Sequence, residues 1–337
     1  MLNFDPDRFL RIQTGALEQV DPIVATVEKL LDGGARNVVF LGTGGAGILM
    51  GPAHRLLQTR STFPSYLENP AELLTTGSVA LGAGSIVVIP SLSGTTRESI
   101  AALERAQEAG ATVLVLTGHA DTPLAQRADH AFVNFAEDDT SCEMFYLQSL
   151  AVAMTILDSR GEVDDWATVR AELAGLPALL LEVKRAFEGR AAAVAQELAD
   201  GDYHIVTGAG SSWWEAFYYG MCILEEMQWI RTRPVHASDF FHGTLELVEQ
   251  GVSVVVLKGE DGGRPLCERV EAFAGRYTDR VTVLDSAELE LPGVSASTRE
   301  LISPVLLATV LERVSAHLEV IRDHPLTTRR YYKRVEY

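Results

Sequence analysis

"IPSLSGTTRES", residues 89–99, decides the reading of this chain. It sets four hydroxyls, on Ser91, Ser93, Thr95 and Thr96, around Gly94. Before it, Ile86 to Ile89 are all apolar, as a buried strand requires. After it, Ile100, Leu103 and Ala106 recur at helical spacing up to Gly110. The stretch is therefore a turn between a strand and a helix. In an open parallel sheet, ligands sit at the carboxyl ends of the strands. The following helix offers unpaired N–H groups and a partial positive charge there. Thr95 and Glu98 fit a capping box that starts the helix at the motif. Ser91, Ser93 and Thr96 are left to donate hydroxyls, and Gly94 lets the backbone come close. Such a turn can hold a phosphate without a lysine. An ordinary capped polar turn is the plain alternative.

Outward from this turn, the first half alternates strands and helices. "NVVFLGT" (37–43), "SYLE" (65–68), "SIVVIPS" (85–91), "TVLVLTG" (112–118) and "AFVNF" (131–135) read as strands. Most are continuously apolar, as expected of a parallel sheet covered on both faces. Residues 1–34 read as outer helices, and a long helix runs from near Ser141 to Ser159. The second half repeats the plan. "YHIVTGAGSS" (203–212) echoes "VVFLGTGGAG" (38–47), "GVSVVVLKG" (251–259) echoes "GSIVVIPS", and "RVTVLDS" (280–286) echoes "TVLVLTG". The fold class is α/β, with two tandem doubly wound, flavodoxin-like parallel-sheet units, 1–160 and 161–337. The copies differ where it matters: "KGEDGGRP" (258–265) stands where the first has "PSLSGTTR". The hydroxyls are gone and two acids have appeared, so one anion site per chain is expected, in the first half.

Composition narrows the class. The 337 residues suit two domains, and 47% hydrophobic with 22% charged residues is globular and soluble. No apolar run reaches about 18 residues, so no membrane span is expected. The start, "MLNFDPDRFLRIQ", lacks a signal-peptide pattern. Cys142, Cys222 and Cys267 have no metal-ligand spacing and read as reduced core residues of a cytoplasmic protein. The net charge of −18 argues against a nucleic-acid partner. It also means that an anionic substrate must be drawn in by a local feature.

Three further stretches bear chemistry. "GTGGAG", Gly42 to Gly47, follows a strand, and Glu68 ends the next one. That is the pattern of a dinucleotide site, although any tight strand-to-helix turn in this fold favours glycine. In residues 210–250, Ser212 and Glu215 form another capping-box pattern, opening a helix to about Trp229. Glu225 and Glu226 lie near its end, with Cys222, Ile223 and Ile230 on the face of Glu226. An apolar pocket and the negative end of a helix both raise a carboxyl pKa, which suits abstraction of a proton from carbon. Ion pairing with Arg231 or Arg233 is the alternative. Then His242 stands in "DFFHGTLE", between phenylalanines and a glycine, as a turn that directs a proton carrier into a pocket. His236 is a similar candidate.

"PSLSGTTRE" resembles the sugar-phosphate loop of the SIS (sugar isomerase) domain family. The tandem, with the loop kept in the first copy, is similar to the isomerase half of glucosamine-6-phosphate synthase. The glutaminase half of that enzyme has no counterpart, so ammonia transfer is not expected. "EMQWI" (226–230), "FFHGTLEL" (240–247) and the tail from "HPLTTRRYY" (324–332) resemble the SIS-domain fructosamine-6-phosphate deglycases across essentially the whole chain. The resemblance implies that Ser91, Ser93, Gly94 and Thr96 hold the phosphate and that Gly42, Gly44 and Ser141 line the sugar. It implies Glu226 as base and His242 as acid, the histidine reaching over from a neighbouring subunit. A homodimer or larger homo-oligomer follows, with a small sugar phosphate as ligand and no metal or cofactor. Two departures stand out. The "GGAG" turn has glycines where a serine often stands. The tail reads "YYKRVEY", leaving Lys333 and Arg334 as candidates for the family's tail lysine. The leaving amine is open, with Arg97, Arg231, Arg329 and the Trp213–Trp214 region as candidates for its pocket. An aldose–ketose isomerase, a non-catalytic sugar-phosphate sensor and a dehydrogenase are the other readings.

Overall fold

The computed structural model describes residues 1–136, 142–332 and 334–336. Contacts divide the chain into two compact units, residues 6–177 and residues 178–337 with 1–5. The division falls later than the polar stretch at 159–165, because helix Trp166–Leu173 belongs to the first unit, with Trp166 and Val169 buried.

In the first unit, β1 (Asn37–Leu41), β2 (Ser65–Glu68), β3 (Ser85–Ser91), β4 (Thr112–Thr117) and β5 (His130–Val133) form one sheet in the order β2-β1-β3-β4-β5. Every neighbouring pair is parallel. The apolar runs explain the layering: all seven residues of β3 are buried, and helices must cover both faces. Helix Arg97–Glu108 buries Ala102, Leu103 and Ala106 against Val87, Ile89, Val113 and Val115. Leu103→Ala there would cost about 2–5 kcal/mol. The helix stops as Ala109 and Gly110 turn their N–H groups back to Arg105 and Gln107, Gly110 taking φ +83°.

In the second unit, β6 (Tyr203–Gly208), β7 (Arg231–His236), β8 (Ser253–Lys258) and β9 (Val281–Asp285) are all parallel in the order β7-β6-β8-β9. The order repeats that of β2-β1-β3-β4. β7 is the element that hydropathy does not announce. It is a polar edge strand carrying Pro234, with only Val235 buried. An edge position is where a sheet tolerates proline.

Helix Ala296–Ile321 is long and apolar enough to cross a membrane by length and composition, although charged residues interrupt its apolar run. Its most apolar window is 83% buried inside the protein, as in a core helix.

Candidate active site

The hydroxyl-rich turn forms at the carboxyl end of β3, as its sequence suggests. Ser91 is buried, and its Oγ accepts the Gly94 N–H at 3.2 Å. Ser93 Oγ accepts from Thr95 Oγ1 at 3.1 Å. Thr96 takes the N-cap position of helix Arg97–Glu108 with an extended backbone (φ −63°, ψ 123°). No side chain caps that helix. The Thr95/Glu98 capping box is therefore not formed, because Thr95 turns to Ser93 and the helix begins one residue later. The helix N–H groups stay available to an anion.

Gly94 is what shapes the turn. Its φ is +62°, and a Cβ there would lie 2.1 Å from Thr122 Oγ1. The neighbouring loop grips the turn further, Leu124 N donating to the Gly94 carbonyl and Gly118 N to that of Leu92.

The second glycine turn follows β1. A Cβ on Gly42 would lie 2.5 Å from Gly47 Cα, so the pair has to be glycine for the turn to close. Gly44, at φ +57°, opens onto empty space. Thr43 Oγ1 is buried and has no hydrogen-bond partner among the described residues, which makes it a candidate ligand contact that the sequence did not single out. Glu68, which would hold a ribose in a dinucleotide site, accepts the Ser78 hydroxyl at 2.6 Å. Ser141 lies outside the described residues.

The second unit shows why it lacks the loop. Asp261 puts its carboxylate into its own glycine turn, accepting from Ser211 N at 2.6 Å, Ser211 Oγ at 2.6 Å and Gly263 N at 2.7 Å. Glu260 takes Arg299 in a two-bonded pair at 2.8 and 2.9 Å. Arg264 takes Asp285 likewise, at 2.8 and 2.6 Å. Although burial opposes it, the Arg264 bonds and the Ala287 N–H hold the Asp285 carboxyl below its ordinary range. The anion of this copy is the protein's own.

Glu226 lies elsewhere. Ser212 is not a cap: its hydroxyl bonds the carbonyls of Ala209 and Leu257, each at 2.9 Å. Helix Ser212–Tyr218 passes into a π-helix, Tyr219–Met227, closed by Gln228 N on Ile223 O. Short π segments of this kind gather at functional sites. The chain leaves it through Trp229 at φ +56°, a strained conformation for a bulky residue. Glu226 is half-buried rather than sunk in an apolar pocket, and its Oε1 accepts Arg329 Nε at 2.9 Å. Glu225 accepts the Thr232 hydroxyl at 2.6 Å. Arg233 Nε donates to Thr244 Oγ1 at 2.9 Å.

Glu226 lines a groove of about 930 Å³ with Trp229, Arg231, Arg322, Arg329 and Arg330. Tyr203 and Arg231, the first residues of β6 and β7 and paired in register, also line it. The groove thus opens at the amino edge of this sheet, opposite to the edge that the fold usually offers to ligands. Arg334 is exposed and is not among the lining residues, while Lys333 lies outside the described residues. Trp213 is not in the groove either; it stacks on Phe217 and meets His236 edge-on.

His242 ends a 3₁₀ turn, Asp239–His242, and is exposed. Between it and Glu226 runs all of β7, six residues or about 20 Å of extended chain. Cys222 and Cys267 are buried thiols, and burial pushes Cys267 up to about 11, unsuited to a nucleophile.

Residues 34–157 match the SIS domain model. The chain is 30% identical to the fructosamine deglycase FrlB of Bacillus subtilis, over 89% of this chain and 92% of that protein. It is 27% identical to the fructoselysine 6-phosphate deglycase of Escherichia coli, over 71% of this chain and 68% of that one. A solved structure from Bacillus subtilis, described as a phosphosugar isomerase, superposes with a TM-score of 0.85 at 27% identity, over 96% of this chain and 99% of that one. With two parallel units, a hydroxyl turn in one of them and relatives matched almost end to end, the chain belongs to the SIS-domain family, among its fructosamine deglycases, and is an enzyme of that type.

Proposed function

We propose that the protein cleaves a 6-phosphorylated fructosamine, an amino acid joined through nitrogen to C1 of fructose, into glucose 6-phosphate and the free amino acid. The observation that carries this reading is Glu226, a carboxylate held by Arg329 in an arginine-lined groove, in a chain related to the fructosamine deglycases.

In this mechanism Ser91, Ser93 and Thr96, with the N–H groups at the start of helix Arg97–Glu108, take the phosphate. Binding far from the reacting carbons fixes their position. Gly42, Thr43 and Gly44 line the sugar, with Ser141. His242 of a neighbouring subunit moves a proton to open the ring. Glu226 takes a proton from C1, leaving an enaminol, and returns it to C2. C1 is then an imine carbon; water adds there, the C–N bond breaks, and the amine leaves. Exposure of His242 on its own subunit agrees with a site shared in a homodimer or larger assembly. Buried thiols agree with a cytoplasmic location.

The test is release of glucose 6-phosphate, coupled to NADPH formation, from the 6-phosphates of fructosyl-lysine, -asparagine, -glutamine and -glycine. Release from at least one is expected. Silence on all four, with fructose 6-phosphate converted to glucose 6-phosphate, would replace the deglycase with a plain isomerase.

A further inference from the structure

The groove beside Glu226 is lined by four arginines, Arg231, Arg322, Arg329 and Arg330, against three acids, Asp202, Glu225 and Glu226. Among the described residues, Arg231 and Arg330 have no ion pair, and Arg322 donates only to the Gln228 carbonyl at 3.3 Å. Arg322 Nε is buried without a hydrogen-bond partner. A guanidinium cannot shed its proton, so a lining of this kind is arranged for an anion. In a chain of net charge −18 such a cluster is a local exception. Trp229 adds a flat surface: it is 40% exposed, with the Arg330 guanidinium 4.2 Å from its ring centre and His324 edge-on at 4.5 Å.

Arg329 ties this cluster to Glu226. Its Nε is on Glu226 at 2.9 Å, and its Nη1 is on the Leu326 and Thr328 carbonyls at 2.6 and 3.0 Å. Among the described residues, Nη2 has no hydrogen bond. If Glu226 acts at C1, then a carboxylate one carbon beyond the nitrogen stays beside these guanidiniums. A carboxylate at the far end of a lysine side chain does not. We propose that this groove is the amine subsite, and that it selects fructosamine 6-phosphates linked through the α-nitrogen of an amino acid, with Arg231 and Arg330 pairing the α-carboxylate. The proposal rests on the deglycase reading above.

The experiment compares three synthetic substrates: the 6-phosphates of α-N-fructosyl-glycine, of fructosyl-ethylamine, which lacks the carboxylate, and of Nε-fructosyl-lysine. Wild-type enzyme is expected to favour the glycine adduct in kcat/KM by at least about tenfold over each of the others. In Arg231→Gln and Arg330→Gln, checked for unchanged melting temperature, the glycine-to-ethylamine ratio should fall at least about fivefold in one or both. Equal kcat/KM for the glycine and ethylamine adducts, preference for the Nε-lysine adduct, or a ratio untouched by both substitutions overturns the subsite and leaves the deglycase standing. No turnover of any of the three, with the asparagine and glutamine adducts also silent, overturns both.

Discussion

Arg329 Nε donates to Glu226 Oε1 across 2.9 Å, joining residues 103 positions apart in the chain. The contact fixes the carboxylate's orientation at the mouth of the groove. Glu226→Gln retains the shape and can still accept from Arg329, but cannot take a proton. Turnover should fall by about 10²–10⁴-fold, the usual contribution of a positioned acid–base group. Calorimetric binding of a sugar 6-phosphate should persist. Turnover close to wild type would remove Glu226 from the role of base.

His242 is exposed, and β7 lies between it and Glu226 in the chain. His242→Asn and Glu226→Gln should each be nearly inactive alone. Unfolded together and refolded as a mixture, they should recover roughly a quarter of wild-type activity if each site in a symmetric dimer takes one residue from each subunit. Failure of any mixture to regain activity, with mixed dimers demonstrated by mass, would place both residues in one subunit's site.

Gly94 and Gly44 both have positive φ, at +62° and +57°, but only Gly94 is walled in, with Thr122 Oγ1 2.1 Å from where a Cβ would sit. Gly44→Ala should cost only the backbone strain, about 1–2 kcal/mol. Gly94→Ala must also push the Thr122 loop aside. It should lower the melting temperature further and raise KM for the phosphorylated substrate at least tenfold. Equal effects of the two would mean that the loop moves without cost.

Glu188 joins Arg313 at 2.8 and 3.0 Å, His317 at 3.0 Å and the Leu2 N–H at 2.7 Å. Burial alone would raise its pKa, but these partners bring it from 4.5 down to about 2. A carboxylate depressed in the folded state stabilises fully above its unfolded pKa and less as pH falls through the folded one. Glu188→Gln should therefore cost about 1–3 kcal/mol at pH 7 by urea unfolding. The difference from wild type should shrink between pH 4.5 and about 2. A difference constant over that range would show that Glu188 acts through packing alone.

Much of this was legible in the sequence for a physical reason. β1, β3, β4 and β8 sit between two layers, so the middles of their sequences are apolar without interruption. The loss of hydroxyls at "KGEDGGRP" was equally plain, although its consequence, Asp261 sitting on its own backbone amides, needed the fold. What hydropathy could not give were features made by distant partners. β7 is polar because it lies at an edge. The surroundings of Glu226 depend on a π-helix, whose five-residue bonding rotates side chains off the usual face, and on Arg329 from the tail. Both capping boxes misled, because Thr95 and Ser212 had other hydrogen bonds to make.

Asp261 gives the two units different thermodynamics. In the first, no side chain caps the helix at the hydroxyl turn, and on the proposed phosphate role ligand and folding are linked there: sugar phosphate should raise that unit's stability as its concentration exceeds Kd. In the second, the equivalent turn is saturated by a carboxylate whose local concentration never changes. The duplicated architecture therefore contains one half that carries its own internal anion and, if the proposed phosphate role holds, one that is completed only by ligand. In hydrogen exchange, substrate should slow the amides around Gly94 and leave those around Gly210 as they were.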